Sequence, residues 1–76
     1  MHGIRVTLQP PDGEPFSEDT FLTLATGVNG GLLYSGNGGF WIEVVENPDR
    51  THRIAGFGWA DGDRGHAIIS QVPIIA

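Results

Sequence analysis

The stretch FWIEVVENPDRTHRIAGFGW, residues 40–59, carries the clearest structural pattern in this chain of 76 residues. Two segments rich in β-branched and aromatic residues flank Asn47, Pro48, Asp49 and Arg50. These four residues fit a type I turn with proline at its second position. Residues 40–46 and 51–59 are therefore predicted to pair as a β-hairpin.

The register of this hairpin decides which side chains share a face of the sheet. With Asn47 opposite Arg50, the expected core-side pairs are Phe40 with Phe57, Ile42 with Ala55, and Val44 with Arg53. Trp59 shares this face. The expected pairs on the other face are Trp41 with Gly56, Glu43 with Ile54, and Val45 with His52. Because side chains alternate along a strand, a slip of one residue would change every pair.

Upstream, residues 3–9 alternate in the manner of a half-buried strand, with Ile4, Val6 and Leu8 on one face. A rigid turn follows at residues 10–15, which include three prolines and a glycine. Downstream, Asn-Gly steps at 29–30 and 37–38 predict tight turns around a short strand, residues 32–35. Residues 66–72 predict a last strand, which Pro73 is expected to end before an apolar tail at 74–76.

The segment between the first turn and residue 28 predicts a short helix. Ser17 suits the N-cap, Glu18 and Asp19 suit the first turn, and Phe16 is placed to staple against Phe21. The helical stripe would consist of Phe21, Leu24, Ala25 and Val28, with Gly27 as the C-terminal stop. The threonines at 20, 23 and 26 favour a strand instead, and that alternative stays open.

These elements predict one α+β domain, residues 1–76, with the order β-α-β-β-β-β. It would contain a mostly antiparallel sheet of four or five strands with one short helix on one face. A domain of this size buries a thin core, and the chain has no cysteine to add a disulfide.

Composition excludes several classes of function. The formal net charge of −5 disfavours binding to phosphate backbones. The absence of lysine excludes Walker-type phosphate loops and Schiff-base chemistry. The chain shows no apolar run typical of a secretory signal or a membrane span, so we expect a cytoplasmic protein, in the host cytoplasm if a virus encodes it.

No catalytic or metal site is predicted. Asp61, Asp63 and Gly65 resemble the start of a calcium loop, but the twelfth position holds Val72 instead of glutamate, so a hairpin turn is the better interpretation. The histidines at 2, 52 and 66 fit no metal-ligand spacing. Ser35 lacks the glycines of a nucleophile elbow, and the Gly36–Gly39 run precedes a strand where a dinucleotide loop would precede a helix. We therefore expect no cofactor.

The candidate functional residues are predicted to bind a partner protein. Trp41, Val45 and Ile54 would form an apolar strip on the sheet face away from the helix, since tryptophan is a favoured interface anchor. Packing of Trp41 over Gly56 is the structural alternative. The remaining contact residues would be Tyr34, Glu43 and His52, with an acidic rim formed by Asp12, Glu14, Glu18 and Asp19.

Three functional hypotheses follow. The first is a small acidic binding protein that inhibits or modulates a larger, basic-surfaced partner, of the general type of immunity proteins and phage anti-defence inhibitors. The second is a homo-oligomeric or viral assembly subunit. The third is a small-ligand binder or enzyme that uses the glycine-rich loop and His52 or His66.

Overall fold

The computed structural model describes residues 2–36, 39–60 and 65–75, and these residues form six antiparallel β-strands in one sheet. The strands are β1 (His2–Gln9), β2 (Phe16–Thr26), β3 (Leu32–Gly36), β4 (Phe40–Glu46), β5 (His52–Trp59) and β6 (Ala67–Ile75). Their order in the sheet is β5-β4-β3-β2-β1-β6, and the sheet curls into a half-barrel.

The prediction of an α+β fold is wrong, because the chain is all-β in its described part. The predicted helix is β2, an eleven-residue strand that pairs with β1 on one side and β3 on the other. The helical stripe does not form a buried face, since Leu24 and Val28 are fully exposed. The β-branched threonines, which favour strands, indicated the correct structure.

The period-two pattern of β2 is hidden because two polar residues, Glu18 and Thr20, occupy inner positions of the strand. Thr20 lies opposite Ile4, is fully buried, and its hydroxyl donates to the Ile4 carbonyl oxygen at 3.4 Å. Glu18 lies opposite Val6 on the same face. An apolar residue at either position would have produced the alternation typical of a strand.

The core lies on the inner face of the curled sheet. Its buried apolar side chains are Ile4, Val6, Leu8, Tyr34, Phe40, Ile42, Val44 and Trp59. Phe40 is at the centre, with ring centroids 5.0 Å from Trp59 and 6.3 Å from Phe57. The predicted inner face of β1 and the predicted core side of β4 are both confirmed.

The 40–59 hairpin is confirmed, but its predicted register is wrong. The Arg50 N–H donates to the Asn47 carbonyl oxygen at 3.0 Å, as a type I turn requires. The Asn47 N–H donates to the Thr51 carbonyl oxygen at 2.7 Å, so Asn47 pairs with Thr51 and not with Arg50. Arg50 adopts a left-handed conformation, φ 72°, which adds one residue to the loop. A bulge between Glu43 and Val44 then adds a second shift.

The observed pairs follow from these two shifts. They are Phe40–Trp59, Trp41–Gly58, Ile42–Phe57, Glu43–Gly56, Val44–Ile54, Val45–Arg53 and Glu46–His52. Ile54 therefore lies on the inner face, where it packs against the core.

Replacing Arg50 by glycine is expected to raise the free energy of unfolding by about 0.5–1 kcal/mol. A side chain in the left-handed region costs about 1–2 kcal/mol, which exceeds the ~0.5–1 kcal/mol that glycine loses in chain entropy. Urea denaturation would measure the gain. Arg53→Gly, in the middle of β5, is the control and should lower stability, because the backbone there needs no left-handed residue. A loss of stability in Arg50→Gly would contradict this interpretation of the turn.

The last strand is longer than predicted. Pro73 lies opposite Ile4, and pairing with β1 continues to Ile75, so proline does not end the strand and residues 74–75 are not a tail. Proline is tolerated there because β6 is an edge strand, where the missing N–H need not face a neighbour.

His66 links distant parts of the sheet through ring contacts. Its ring centroid lies 5.3 Å from the Trp59 ring centroid and 5.7 Å from that of Phe16.

Within residues 2–36, 39–60 and 65–75, no helix is long and apolar enough to cross a membrane.

Candidate functional site

The loop between β2 and β3, residues 27–31, folds back against the outer face of the sheet. Two backbone bonds hold it, one from the Gly27 N–H to the Gly31 carbonyl and one from the Gly30 N–H to the Gly27 carbonyl, both 3.0 Å. Gly30 has a φ of 78°, which confirms the turn predicted from the Asn29-Gly30 step.

The carboxylate of Glu43 holds this loop in place. It accepts hydrogen bonds from the Gly31 N–H at 2.8 Å, the Asn29 N–H at 3.0 Å and the Asn29 side-chain amide at 3.1 Å. A Cβ atom at Gly27 would overlap the Glu43 side chain, so a glycine is required for this close approach. Glu43 is only 1% exposed, although it is on the outer face.

Glu43 is ionised in the folded protein at neutral pH. Burial acts to raise its pKa, but the hydrogen bonds from Gly31 and Asn29 together outweigh burial and lower the pKa below the ordinary value. No basic side chain among the described residues lies within ion-pair distance of Glu43. Neutral N–H donors stabilise its negative charge but do not cancel it.

Trp41 lies beside Glu43 on the same strand face and packs on a glycine strip in β5. A Cβ atom at Gly58 would lie 2.8 Å from the Trp41 ring, and one at Gly56 would lie 3.8 Å from it. The ring is half-buried. The predicted packing over Gly56 therefore does occur, with Gly58 as the closer contact.

A solvent-open cleft of about 290 Å³ lies between the loop and the Trp41 ring. Its lining residues are Thr26, Gly27, Val28, Leu33, Trp41 and Glu43. The walls are largely apolar. Among the described lining residues, the charged group is the Glu43 carboxylate. The cleft can therefore take an apolar group and favours positive charge beside it.

The end of the β2–β3 hairpin exposes apolar side chains, and one of them, Val28, also lines the cleft. Among the described residues, seven large apolar side chains are exposed. Four of them lie at this end of the hairpin, namely Leu22, Leu24, Val28 and Leu32. We refer to these four as the hairpin end. Leu24 and Val28 have relative exposures of 109% and 99%, as in an unfolded chain.

The structure brings only part of the predicted contact set together. Trp41 and Glu43 line the cleft, and Val45 contacts the loop beside it, since a Cβ at Gly31 would lie 2.6 Å from Val45 Cγ1. Tyr34 is buried in the core, where desolvation raises its pKa.

Two other predicted contact residues lie apart from the cleft. Ile54 faces the core, and His52 is exposed at the start of β5, opposite Glu46. Trp41, Val45 and Ile54 therefore do not form one strip.

The predicted acidic rim lies at the opposite end of β2 from the hairpin end. Asp12 and Glu14 are exposed on the β1–β2 turn, and Glu18 is on the inner face. Asp19 pairs with Arg5 at 2.7 Å, and this hydrogen bond lowers its pKa. The eleven residues of β2 span about 33 Å, so these acids do not surround the cleft.

The hairpin end was not predicted, because the predicted helix placed Leu24 and Val28 in a buried stripe. The Asn29-Gly30-Gly31 turn was the available signal. With a strand before it, that turn closes a β-hairpin, and the apolar side chains near the turn are then exposed.

Of the residues that the sequence suggested for chemistry, the described His52 and His66 lie apart from each other. His52 and His66 are at opposite ends of β5, because His66 contacts Trp59. No group of three or more metal-ligating side chains occurs in the described ranges. Asp61, Asp63, Asn37 and Gly38 lie outside the described residues.

No protein-family model matches this chain, and no curated protein or solved structure is significantly similar to it.

Proposed function

We propose that this chain is a small acidic protein-binding module that inhibits or modulates a larger partner protein. Its contact surface is the hairpin end together with the Trp41 cleft. The observation that carries the proposal is the full exposure of Leu24 and Val28 at the end of the β2–β3 hairpin. Clustered exposed apolar side chains are typical of interaction sites.

The composition supports the same function. Only 17% of the residues are charged, below the ~25% of an average domain, so the surface is unusually neutral for its size. The net charge of −5 favours a basic-surfaced partner over a nucleic acid. The proposal includes a cytoplasmic location, with which a cysteine-free chain is compatible.

A pair of double variants tests this surface. Leu24→Ser with Val28→Ser removes the exposed anchors, and we expect it to weaken capture of the cellular partner by at least tenfold, or about 1.4 kcal/mol. Because both side chains are solvent-exposed, the melting temperature should stay within about 3 °C of the unmodified protein. Quantitative affinity capture from cells of the source organism, followed by mass spectrometry, would measure the loss.

Ile69→Ser with Val72→Ser is the matched control, since both residues are 55% exposed but lie on edge strand β6. This control should capture the partner normally. Equal capture by both double variants would contradict the proposal.

The homo-oligomer is the second candidate, favoured by the exposed Ile69 and Val72 on an edge strand. It predicts a multimer in light scattering that the Ile69→Ser and Val72→Ser changes convert to a monomer.

A further inference from the structure

We propose that the cleft between Trp41 and the 27–31 loop receives an arginine or lysine side chain of the partner protein. This inference rests on the proposed function and specifies the chemistry of its contact. The cleft combines an indole ring, an apolar wall and an uncompensated carboxylate, and a basic side chain has an apolar stem and a positive end to match them.

The negative charge of Glu43 in the cleft favours a positively charged side chain as its occupant. Among the described residues, the lining contains the Glu43 carboxylate and no basic side chain. The carboxylate accepts its hydrogen bonds from neutral groups of Asn29 and Gly31, so a full negative charge remains at the cleft floor. A cation held over this floor is attracted to that charge.

The Trp41 ring in the cleft lining also favours a cation. Trp41 packs one part of its ring on Gly58, and the ring also lines the cleft. A cation placed over an indole face is attracted to its π electrons, and tryptophan is the strongest such partner among the aromatic side chains. Leu33 and Val28 would cover the methylene stem of the same side chain.

The size of the cleft favours a single side chain as the occupant. Its volume, about 290 Å³, is at the lower limit of the roughly 300–1,000 Å³ that sites for drug-sized ligands span. The fully exposed Val28 forms part of its rim, so a protein docked on the hairpin end would place its own side chains at the opening. One side chain entering beside a larger contact is the arrangement of an interface anchor.

The test uses two probes of the same shape and different charge, N-acetyl-arginine amide and N-acetyl-citrulline amide. Each is titrated into the isotope-labelled full chain while the Trp41 indole N–H and the Leu33 methyl signals are followed by NMR. We expect both signals to shift and the arginine probe to bind about fivefold tighter than the citrulline probe. Raising NaCl from 20 to 500 mM should remove most of this preference.

Two variants identify the groups responsible. Glu43→Gln, measured at 10 °C, removes the charge and also frees the 27–31 loop, so it should weaken both probes and reduce the preference for the arginine probe to about twofold or less. Trp41→Leu keeps an apolar wall and should weaken the arginine probe more than the citrulline probe. Equal affinities of the two probes for the unmodified protein, or shifts that avoid Trp41 and Leu33, would overturn the proposal.

The cation site and the proposed function can fail separately. If the arginine probe binds the cleft but the Leu24→Ser, Val28→Ser variant captures its partner normally, the cleft stands and the hairpin-end interface is wrong. If capture depends on Leu24 and Val28 but the probes bind equally, the interface stands and the basic side chain is wrong.

Discussion

Replacing Glu43 by glutamine is expected to lower the melting temperature by about 10 °C and to release the 27–31 loop from the sheet. The carboxylate accepts from both Asn29 and Gly31, while glutamine offers one acceptor oxygen and turns an N–H₂ group toward the remaining donors. Because Glu43 is 1% exposed, the donors that lose their acceptor are left without full hydration. Circular dichroism melting would measure the loss of stability.

Hydrogen exchange would show where the change is located. In the unmodified protein the Asn29 and Gly31 amides donate to Glu43 and should exchange slowly. In Glu43→Gln both amides should exchange faster, and the core amides of β1 should change less.

Glu46→Gln is the control, since Glu46 is an exposed acid on the same strand. It should leave the melting temperature within about 2 °C of the unmodified value. If Glu43→Gln behaved like this control, the carboxylate would not be what holds the loop.

The same carboxylate predicts a pH dependence of stability. The pKa of Glu43 is lower in the folded state than its ordinary value of 4.5, so the folded state binds this proton less readily than the unfolded state. Its contribution is therefore fully present above about pH 4.5 and is lost as pH falls through the folded-state value. The pKa values of Asp19 and Asp49 are also lowered in the folded state, so their contributions to the stability of the protein also fall as the pH is lowered. The Glu43 component is the difference between the unmodified protein and Glu43→Gln, and this difference should shrink on acidification.

The strands with clear alternation could be predicted from the sequence. In β1, Ile4, Val6 and Leu8 are all buried, and in β4 the inner residues Phe40, Ile42 and Val44 are buried as expected. Both strands place apolar residues on three successive inner positions, so the physical requirement for a core was directly visible.

The register of the central hairpin could not be predicted, because it depends on backbone conformations that the sequence does not mark. A left-handed residue in a hairpin loop is usually glycine or asparagine, and here it is Arg50. Gly56, opposite Glu43, is compatible with a bulge there but does not require one. Two single-residue shifts were enough to move Ile54 from the outer face to the core.

The candidate site, like the fold, could be predicted from the sequence only in part. Trp41 and Glu43 were both predicted contact residues and both line the cleft, because alternation along β4 was correctly interpreted. The role of Glu43 was not predicted, since its partners Asn29 and Gly31 are more than ten residues away and reach it only when β2 is a strand. The error in secondary structure therefore hid both the loop and the hairpin end.

Replacing Gly58 by alanine is expected to lower the free energy of unfolding by about 1–2 kcal/mol and to displace the Trp41 ring. The new Cβ would lie 2.8 Å from ring atoms of Trp41, closer than carbon atoms approach, so the ring must move away from β5. Gly56→Ala is the matched control on the same strand. Its Cβ would lie 3.8 Å from the ring, an ordinary contact, so stability should be unchanged or rise by about 0.5 kcal/mol.

Urea denaturation gives the two changes in stability, and the Trp41 indole N–H signal, assigned with Trp41→Phe, reports the ring position. The signal should move in Gly58→Ala and stay in place in Gly56→Ala. Because Trp41 forms one wall of the cleft, Gly58→Ala should also change the affinity for the arginine probe, while Gly56→Ala should not. Equal effects of the two substitutions on stability and on the indole signal would mean that Trp41 does not rest on Gly58, and the wall of the cleft would then have to be placed elsewhere.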